Sequence, residues 1–398
     1  MPGWCAQDGV GIGRVHLPPA ACPRGIGGPT PAVIRHGAVL DGSKLAPTSA
    51  ELMARPDLVQ AALTAELPVI GSMVDVVDES HFSRRRPERP YFLAPVDLQV
   101  IKAAGVTFAA SLLERVIEER SGGDPARSHE IRQKLNTAIG GSLRDIEPGS
   151  EAAMRLADEL KGAGFWSQYL EVGIGTHPEI FTKAPVLASV GLGDQIGIRS
   201  DSAWNNPEPE IVLAVAPDGR VVGAAVGNDV NLRDFEGRSA LLLGEAKDNA
   251  ASCAIGPWVR LFDGDFTLDV LMEDSVSCRV TGEDGYTTEG ANHLSEISRH
   301  PRALVEAATG GHHQYPDGFA LFLGTMYVPG VDRHEPGRGF THDVGDRVDI
   351  SCPSLGTLVN WVARCEQVPP WEMGIGALVR NLSSRGLLGG PAGHGPAA

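Results

Sequence analysis

The chain has 398 residues, 42% hydrophobic and 21% charged, an ordinary globular balance with room for a large core and two structural units. A formal net charge of -16 excludes a nucleic-acid backbone as a partner, and an anionic substrate would need a local cation to hold it. Six cysteines without a CxxC pair point to free thiols in a reducing compartment. No basic-then-apolar leader and no run of about 18 apolar residues is present, so a cytoplasmic protein without a membrane span is expected.

Residues 1–94 are rich in Gly, Pro and short apolar runs and read as a small β-rich N-terminal domain. Within it, Ser83–Pro90 (SRRRPERP) reads as a solvated loop whose arginines are surface charge. Apolar residues at helical spacing (Val106, Leu112, Leu113, Val116, Ile117) predict a helix over Asp97–Arg120, ended by Gly122, Gly123 and Pro125. Two further helices are expected over Ala126–Ile139 and Ser150–Ala163, making a helical insert at about 120–171 in a catalytic domain spanning 95–389. Short strands then dominate: Val186–Val190, Ile211–Ala216, Val221–Gly227, Phe319–Leu323 and Arg347–Ser351, with one clear helix at Leu294–Thr309. Many strands and few helices predict an α+β fold with a mixed, mainly antiparallel β core rather than a Rossmann fold. The tail at 390–398 is expected to be disordered.

The most informative segment is Asn205–Asp234, NNPEPEIVLAVAPDGRVVGAAVGNDVNLRD. Strand alternation puts Glu208 and Glu210 on one face and Ile211, Leu213 and Val215 on the other. Pro207 and Pro209 argue for an edge position. The turn signal PDGR joins this strand to Val221–Gly227. A two- or four-residue loop centred on Asp218-Gly219 places Gly227 opposite Glu210 and Asp229 opposite Glu208, with Cβ atoms about 5 Å apart. A three-residue loop would turn Asp229 to the wrong face. Three close carboxylates repel one another, and a hard divalent cation resolves the conflict. The plain alternative is a solvated acidic edge.

The run EPEIVLAV through GRVVGAAVGNDVNLRDF resembles the metal-binding heart of the fumarylacetoacetate hydrolase family. Other stretches fit in the same order: EIFTKAP (Glu179–Pro185), AKDNAASCAIGPWV (Ala246–Val259), DGFALFLGTMYVPG (Asp317–Gly330) and GDRVDISCPSLGTLVNWV (Gly345–Val362). The resemblance implies a β-roll catalytic domain of mixed sheets preceded by a smaller N-terminal domain, in a homodimer or homotetramer. It also implies Mg²⁺ (or Mn²⁺) held by Glu208, Glu210 and Asp229. Lys247 would be the active-site lysine, Thr325 would touch the substrate carboxylate, and Arg233 would lie at the substrate. Where members commonly carry Gln three residues after that Arg, Glu236 stands here.

A 2-keto acid chelates such a metal through one carboxylate oxygen and its keto oxygen, and the cation stabilises an enolate. Hydrolytic members use a His-Glu pair to activate water. In the matching segment GVTFAASLLER, Ser111 replaces the His while Glu114 keeps its place. Serine alone is no base at neutral pH. The departure favours elimination of water, and the resemblance is strongest to the family's 2-keto-3-deoxy-pentonate (D-arabinonate) dehydratases. These form 2-oxoglutarate semialdehyde. Lys247 and Glu114 would share the proton transfers, with Ser111 near the substrate. The alternatives are an acylpyruvate-type C–C hydrolase and a non-catalytic sugar-acid binding protein. Glycine-rich Gly9–Gly13 and Gly191–Gly197 lack a nucleotide-binding context. His312-His313 lacks zinc-site spacing, and Cys253 reads as a packed residue.

Overall fold

The computed structural model describes residues 9–122, 124–139, 146–162, 164 and 166–388, so the expected tail at 390–398 lies outside the described residues. Strands β1 (Gly11–Leu17), β2 (Gly28–Arg35) and β3 (Ala38–Asp41) form an antiparallel meander. Short helices α1 (Ser49–Ala54) and α2 (Leu58–Thr64) lead to β4 (Val69–Ser72), which pairs with β3. Helix α3 (Met73–Glu79) and β5 (Tyr91–Leu93) follow, then β6 (Val100–Ala104). The helical insert comprises α4 (Ala109–Ser121), α5 (Pro125–Ile139), α6 (Glu151–Gly162) and α7 (Gln168–Ile174). Next come β7 (Ile180–Ala184), β8 (Gln195–Ile198), β9 (Asn205–Asn206), β10 (Pro209–Val215), β11 (Val221–Asp229) and β12 (Asn231–Leu232). Helices α8 (Arg233–Glu236) and α9 (Leu243–Lys247) precede β13 (Cys253–Leu261). The chain closes with α10 (Leu268–Leu271), β14 (Ser275–Thr281), β15 (Thr287–His293), α11 (Pro301–Thr309), β16 (Phe319–Phe322), β17 (Arg347–Cys352), β18 (Gly356–Arg364) and α12 (Ile375–Arg385).

Among the described residues, one sheet has 11 strands in the order β4-β3-β2-β1-β13-β11-β10-β16-β6-β7, with β5 beside β1. A second sheet runs β15-β14-β17-β18-β8. Only the β16–β6 and β18–β8 pairs are parallel, so the mixed, mainly antiparallel expectation holds. The inner faces share one core in which Val15 and Phe92 pack with Ile211, Leu213, Val280 and Leu358. The N-terminal strands thus extend the same sheet that carries the acidic segment.

Several local expectations need correction. Asp97–Arg120 is not one helix: Val100–Ala104 is a buried strand between β16 and β7, and only Ala109–Ser121 is helical. Pairing with two neighbours outweighs a local pattern that either period could fit. Val186–Val190 is not a strand, and Val190 makes only an isolated bridge to Ala254. Leu294–Thr309 splits into a 3₁₀ turn at Leu294–Glu296 and α11, because Pro301 starts a new helix at its first position. Helix α12 was not expected at all. The tract Ser83–Pro90 is partly anchored: Arg85 bonds Asp194 at 2.5 Å and lies over the Tyr91 ring. Strand β10 is central, between β11 and β16, and Pro209 is tolerated as its first residue.

The hairpin carrying the carboxylates reaches its register by an unforeseen route. The Ala216 N–H donates to Arg220 O at 2.8 Å, closing a three-residue loop with Gly219 at φ +85°. That loop alone would misplace Asp229. One extra residue in β11, Val222, intervenes between the pairs Val215–Val221 and Ala214–Gly223, and this bulge restores Gly227 opposite Glu210.

Candidate metal centre

Glu208, Glu210 and Asp229 converge as expected: all three are buried and offer oxygen atoms within 4.8 Å of one another. Glu208 immediately precedes β10. Its N–H donates to Asn228 Oδ1 at 3.0 Å, and its carbonyl accepts from Asp229 N at 3.0 Å. Glu210 accepts from Gly324 N at 2.7 Å and from Thr325 Oγ1 at 3.2 Å, which fixes the second carboxylate from the end of β16. A solvated acidic edge is therefore excluded.

Lys247, the last residue of α9, donates to Glu208 Oε2 and to Asp229 Oδ2, the latter at 3.0 Å. Burial works to lower its pKa, but Asp229, Glu208 and Glu236 overcome this and hold the ammonium well above the usual lysine range. The same crowding pushes Glu210 well above the usual carboxylate range, through burial first and then repulsion from Asp229 and Glu208. Asp229 is held low: burial opposes its ionised form, but the ammonium groups of Lys183 and Lys247 prevail.

The donor set fits a hard divalent cation. Its ligands are carboxylate oxygens without sulfur or imidazole, and the Lys247 ammonium stands in for positive charge between two of them. About 10 Å³ of free volume remains among Gly105, Val106, Arg115, Glu179, Phe181, Glu236 and Thr325, no more than one water needs. A larger open cleft of about 900 Å³ lies between α2, the Asp218-Gly219 turn and α11, and holds none of these side chains.

Not every expected residue reaches the cavity. Thr325 and Lys247 line it. Arg233 is buried behind it, bonding Glu118 Oε1 at 2.6 Å and Glu114 Oε2 at 2.9 Å and stacking on Trp204. Glu114 is gripped by Arg132 at 2.7 Å as well. Burial favours its neutral form, yet these two guanidinium groups hold its pKa below the ordinary value. Ser111 donates to Phe108 O of its own helix at 2.9 Å, a local back-bond.

Three charged residues at the centre were not singled out from the sequence, and a fourth, Glu236, was noted only as a departure from the Gln common in the family. Lys183 is fully buried and bonds Asp229 Oδ1 at 2.8 Å. Arg115 reaches Glu208 Oε1 at 2.5 Å, Glu236 Oε2 at 2.5 Å and Glu118 Oε2 at 2.8 Å. Glu179 lines the cavity with its pKa raised, by burial, against the pull of Arg115 and Lys247. Glu236 is pushed up to about 7 by burial, again against Arg115. A signal existed for Lys183, a charged residue among apolar neighbours in a strand. The set-aside features behave as expected: Cys253 is buried with its thiol pushed up to about 12 by burial, and His312 and His313 are exposed. No helix among the described residues is long and apolar enough to cross a membrane.

Comparison with known proteins places this geometry. Residues 171–363 match the family model described as fumarylacetoacetate (FAA) hydrolase C-terminal. A curated relative from Haloferax volcanii, named probable 2-keto-3-deoxyxylonate dehydratase, is 31% identical over 324 residues, covering 80% of this chain and 91% of its own. The 2-dehydro-3-deoxy-D-arabinonate dehydratase of Saccharolobus solfataricus is 30% identical over 203 residues, covering 50% of this chain and 63% of its own. A solved structure of 2-keto-3-deoxy-D-arabinonate dehydratase, complexed with magnesium and 2,5-dioxopentanoate, superposes with a TM-score of 0.60 at 19% identity, covering 89% of this chain and 98% of that one. That likeness is one of fold.

Proposed function

The chain belongs to the fumarylacetoacetate hydrolase family, and on that premise we propose that it is a magnesium-dependent hydro-lyase. It removes water from a 2-keto-3-deoxy sugar acid of the pentonate class to give 2,5-dioxopentanoate (2-oxoglutarate semialdehyde). The observation that carries this reading is the buried Glu208–Glu210–Asp229 centre with Lys247 against it, in a chain whose curated relatives are named as dehydratases of such acids.

Glu208, Glu210 and Asp229 would hold Mg²⁺, which supplies electrophilic stabilisation of negative charge on the 2-keto oxygen. The chain's own residues then manage protons. Loss of a C3 proton and of the C4 hydroxyl releases one water and leaves an unsaturated 5-hydroxy-2-oxo acid. Moving a proton from C5 to C3 gives the enol, and moving its hydroxyl proton to C4 completes the aldehyde. Glu179, in the cavity wall with a raised pKa, is suited to accept a proton. Lys247 enters charged and is suited to donate one or to hold developing negative charge. Glu114, paired to Arg132 and Arg233, positions Arg233 rather than touching the reacting atoms.

The hydrolase alternative needs a base at position 111, and Ser111 is instead bonded into its own helix. The buried free thiols Cys22, Cys253, Cys278 and Cys352 fit a cytoplasmic setting, and a homodimer or homotetramer is the expected assembly. The test is purified protein with 2-keto-3-deoxy-D-arabinonate, product being followed through an aldehyde dehydrogenase. Turnover with Mg²⁺, lost with EDTA and in Glu208→Ala, is expected. Release of pyruvate from an acylpyruvate, without dehydration, would overturn the reading.

A further inference from the structure

We propose that the Arg115–Glu236 ion pair reads the terminal hydroxyl of the substrate, selecting a hydroxylated 2-keto acid over an alkyl one. This rests on the dehydratase reading above and assigns a specificity role to residues of the same cavity.

Arg115 on α4 and Glu236 on α8 meet at 2.5 Å, and both are buried and line the cavity. A guanidinium only donates hydrogen bonds and an ionised carboxylate only accepts them, whereas a hydroxyl does both. An adjacent donor and acceptor therefore match one hydroxyl. A substrate carboxylate suits the place poorly. Arg115 already faces Glu118, Glu208 and Glu236, so a further anion would meet three carboxylates around a guanidinium that they already occupy. An alkyl end suits it no better, because it would cover both charged groups and return no hydrogen bond.

Position on the substrate follows from the rest of the centre. The 2-keto-carboxylate end belongs at the three carboxylates, and Thr325 closes the side where Glu210 lies. The C4 hydroxyl departs in the reaction. Arg115 extends from Glu208 at the keto-acid end to Glu236, and with the C4 hydroxyl leaving, the pair is assigned to the hydroxyl at C5.

The experiment is calorimetry on the Mg²⁺-loaded full chain with two ligands that cannot eliminate water, 5-hydroxy-2-oxopentanoate and 2-oxopentanoate. Wild type should bind the hydroxylated ligand about tenfold to a hundredfold more tightly, the range expected for hydrogen bonds to charged groups. Glu236→Gln, which keeps the side chain's shape, and Arg115→Met should each shrink that ratio to about twofold or less. A residue that only supported the fold would weaken both ligands and leave the ratio unchanged. Equal binding by wild type, or a ratio preserved in Glu236→Gln, overturns the proposal. Turnover of 2-keto-3-deoxy-D-arabinonate is measured in parallel. Turnover without hydroxyl preference sinks the pair's role alone, and hydroxyl preference without turnover sinks the dehydratase reading alone.

Discussion

Lys247 shows how a single side chain changes meaning when its partners are known. In the sequence alone it is an ordinary lysine flanking a loop. In the structure its ammonium separates Glu208 from Asp229, carboxylates that would otherwise repel in a buried setting. Its charge is sustained by those partners, so of the proton transfers expected of Lys247 and Glu114 it is set up to donate rather than to accept. Lys247→Met should lower kcat by about 10²–10⁴, the usual range for a lost proton-transfer group, while Mn²⁺ still binds. The melting-temperature gain on adding Mn²⁺ should exceed that of wild type, because the apo variant lacks the cation that Glu208 and Asp229 share. Calorimetry and thermal melts check this. Loss of Mn²⁺ binding, or unimpaired turnover, would show that the lysine serves the metal and not the reaction. Arg115 was illegible for the complementary reason. Its partners Glu208 and Glu236 lie far along the chain, and nothing local marks an arginine on an amphipathic helix as buried.

At the scale of elements, the β10–β11 hairpin sets the metal geometry. Alternation in β10 was readable and correct, with the apolar set Ile211, Leu213 and Val215 turned into the core. The turn's place was readable but its form was not, because a three-residue loop plus a bulge at Val222 reaches the same register as the two- or four-residue loop expected. The hairpin tolerates little at Gly227, opposite Glu210. A Cβ there would lie 2.4 Å from Phe322 Cε1 and 2.6 Å from Val212 Cγ2, both in packed strands. Gly227→Ala should therefore cost about 1–3 kcal/mol of stability, as overpacking does. It should also weaken Mn²⁺ binding by moving Glu210, and a thermal melt with a metal titration tests both. Unchanged metal affinity would mean that the strands absorb the methyl group without disturbing the carboxylates. The misreading of Val100–Ala104 as helix has a similar origin. Its strand state comes from β16 and β7 on either side, neither of which is local.

For the whole molecule, the question is whether residues 1–94 stand apart. Composition marks a change near residue 95, and we propose that boundary for an N-terminal unit built onto the catalytic domain's sheet. Strand β1 pairs directly with β13, and Val15, Ile34 and Phe92 share a core cluster with Ile211 and Ala254. Helix α12 ties the far end of the chain to β2, with Arg385 Nη1 donating to Pro29 O at 2.7 Å. Removing residues 1–94 would expose the β13 edge and strip one wall from that core. We expect the truncated chain to lose cooperative thermal unfolding, as followed by circular dichroism. A fragment that melts cooperatively and still binds Mn²⁺ would show that the sheet's N-terminal half is dispensable.

The sequence by itself determined the α+β class, the strand pattern around residues 208–229 and the identity of the three carboxylates. Those follow from local rules: alternation in a strand, turn chemistry and the repulsion of like charges. Tertiary structure alone decided which cations answer those carboxylates, that Glu114 and Ser111 stand back from the cavity, and that Glu179, Arg115 and Glu236 line it. The reason is that charge compensation in a buried centre acts through space. Its partners come from α4, β7, α8 and α9, which only packing brings to the end of the hairpin.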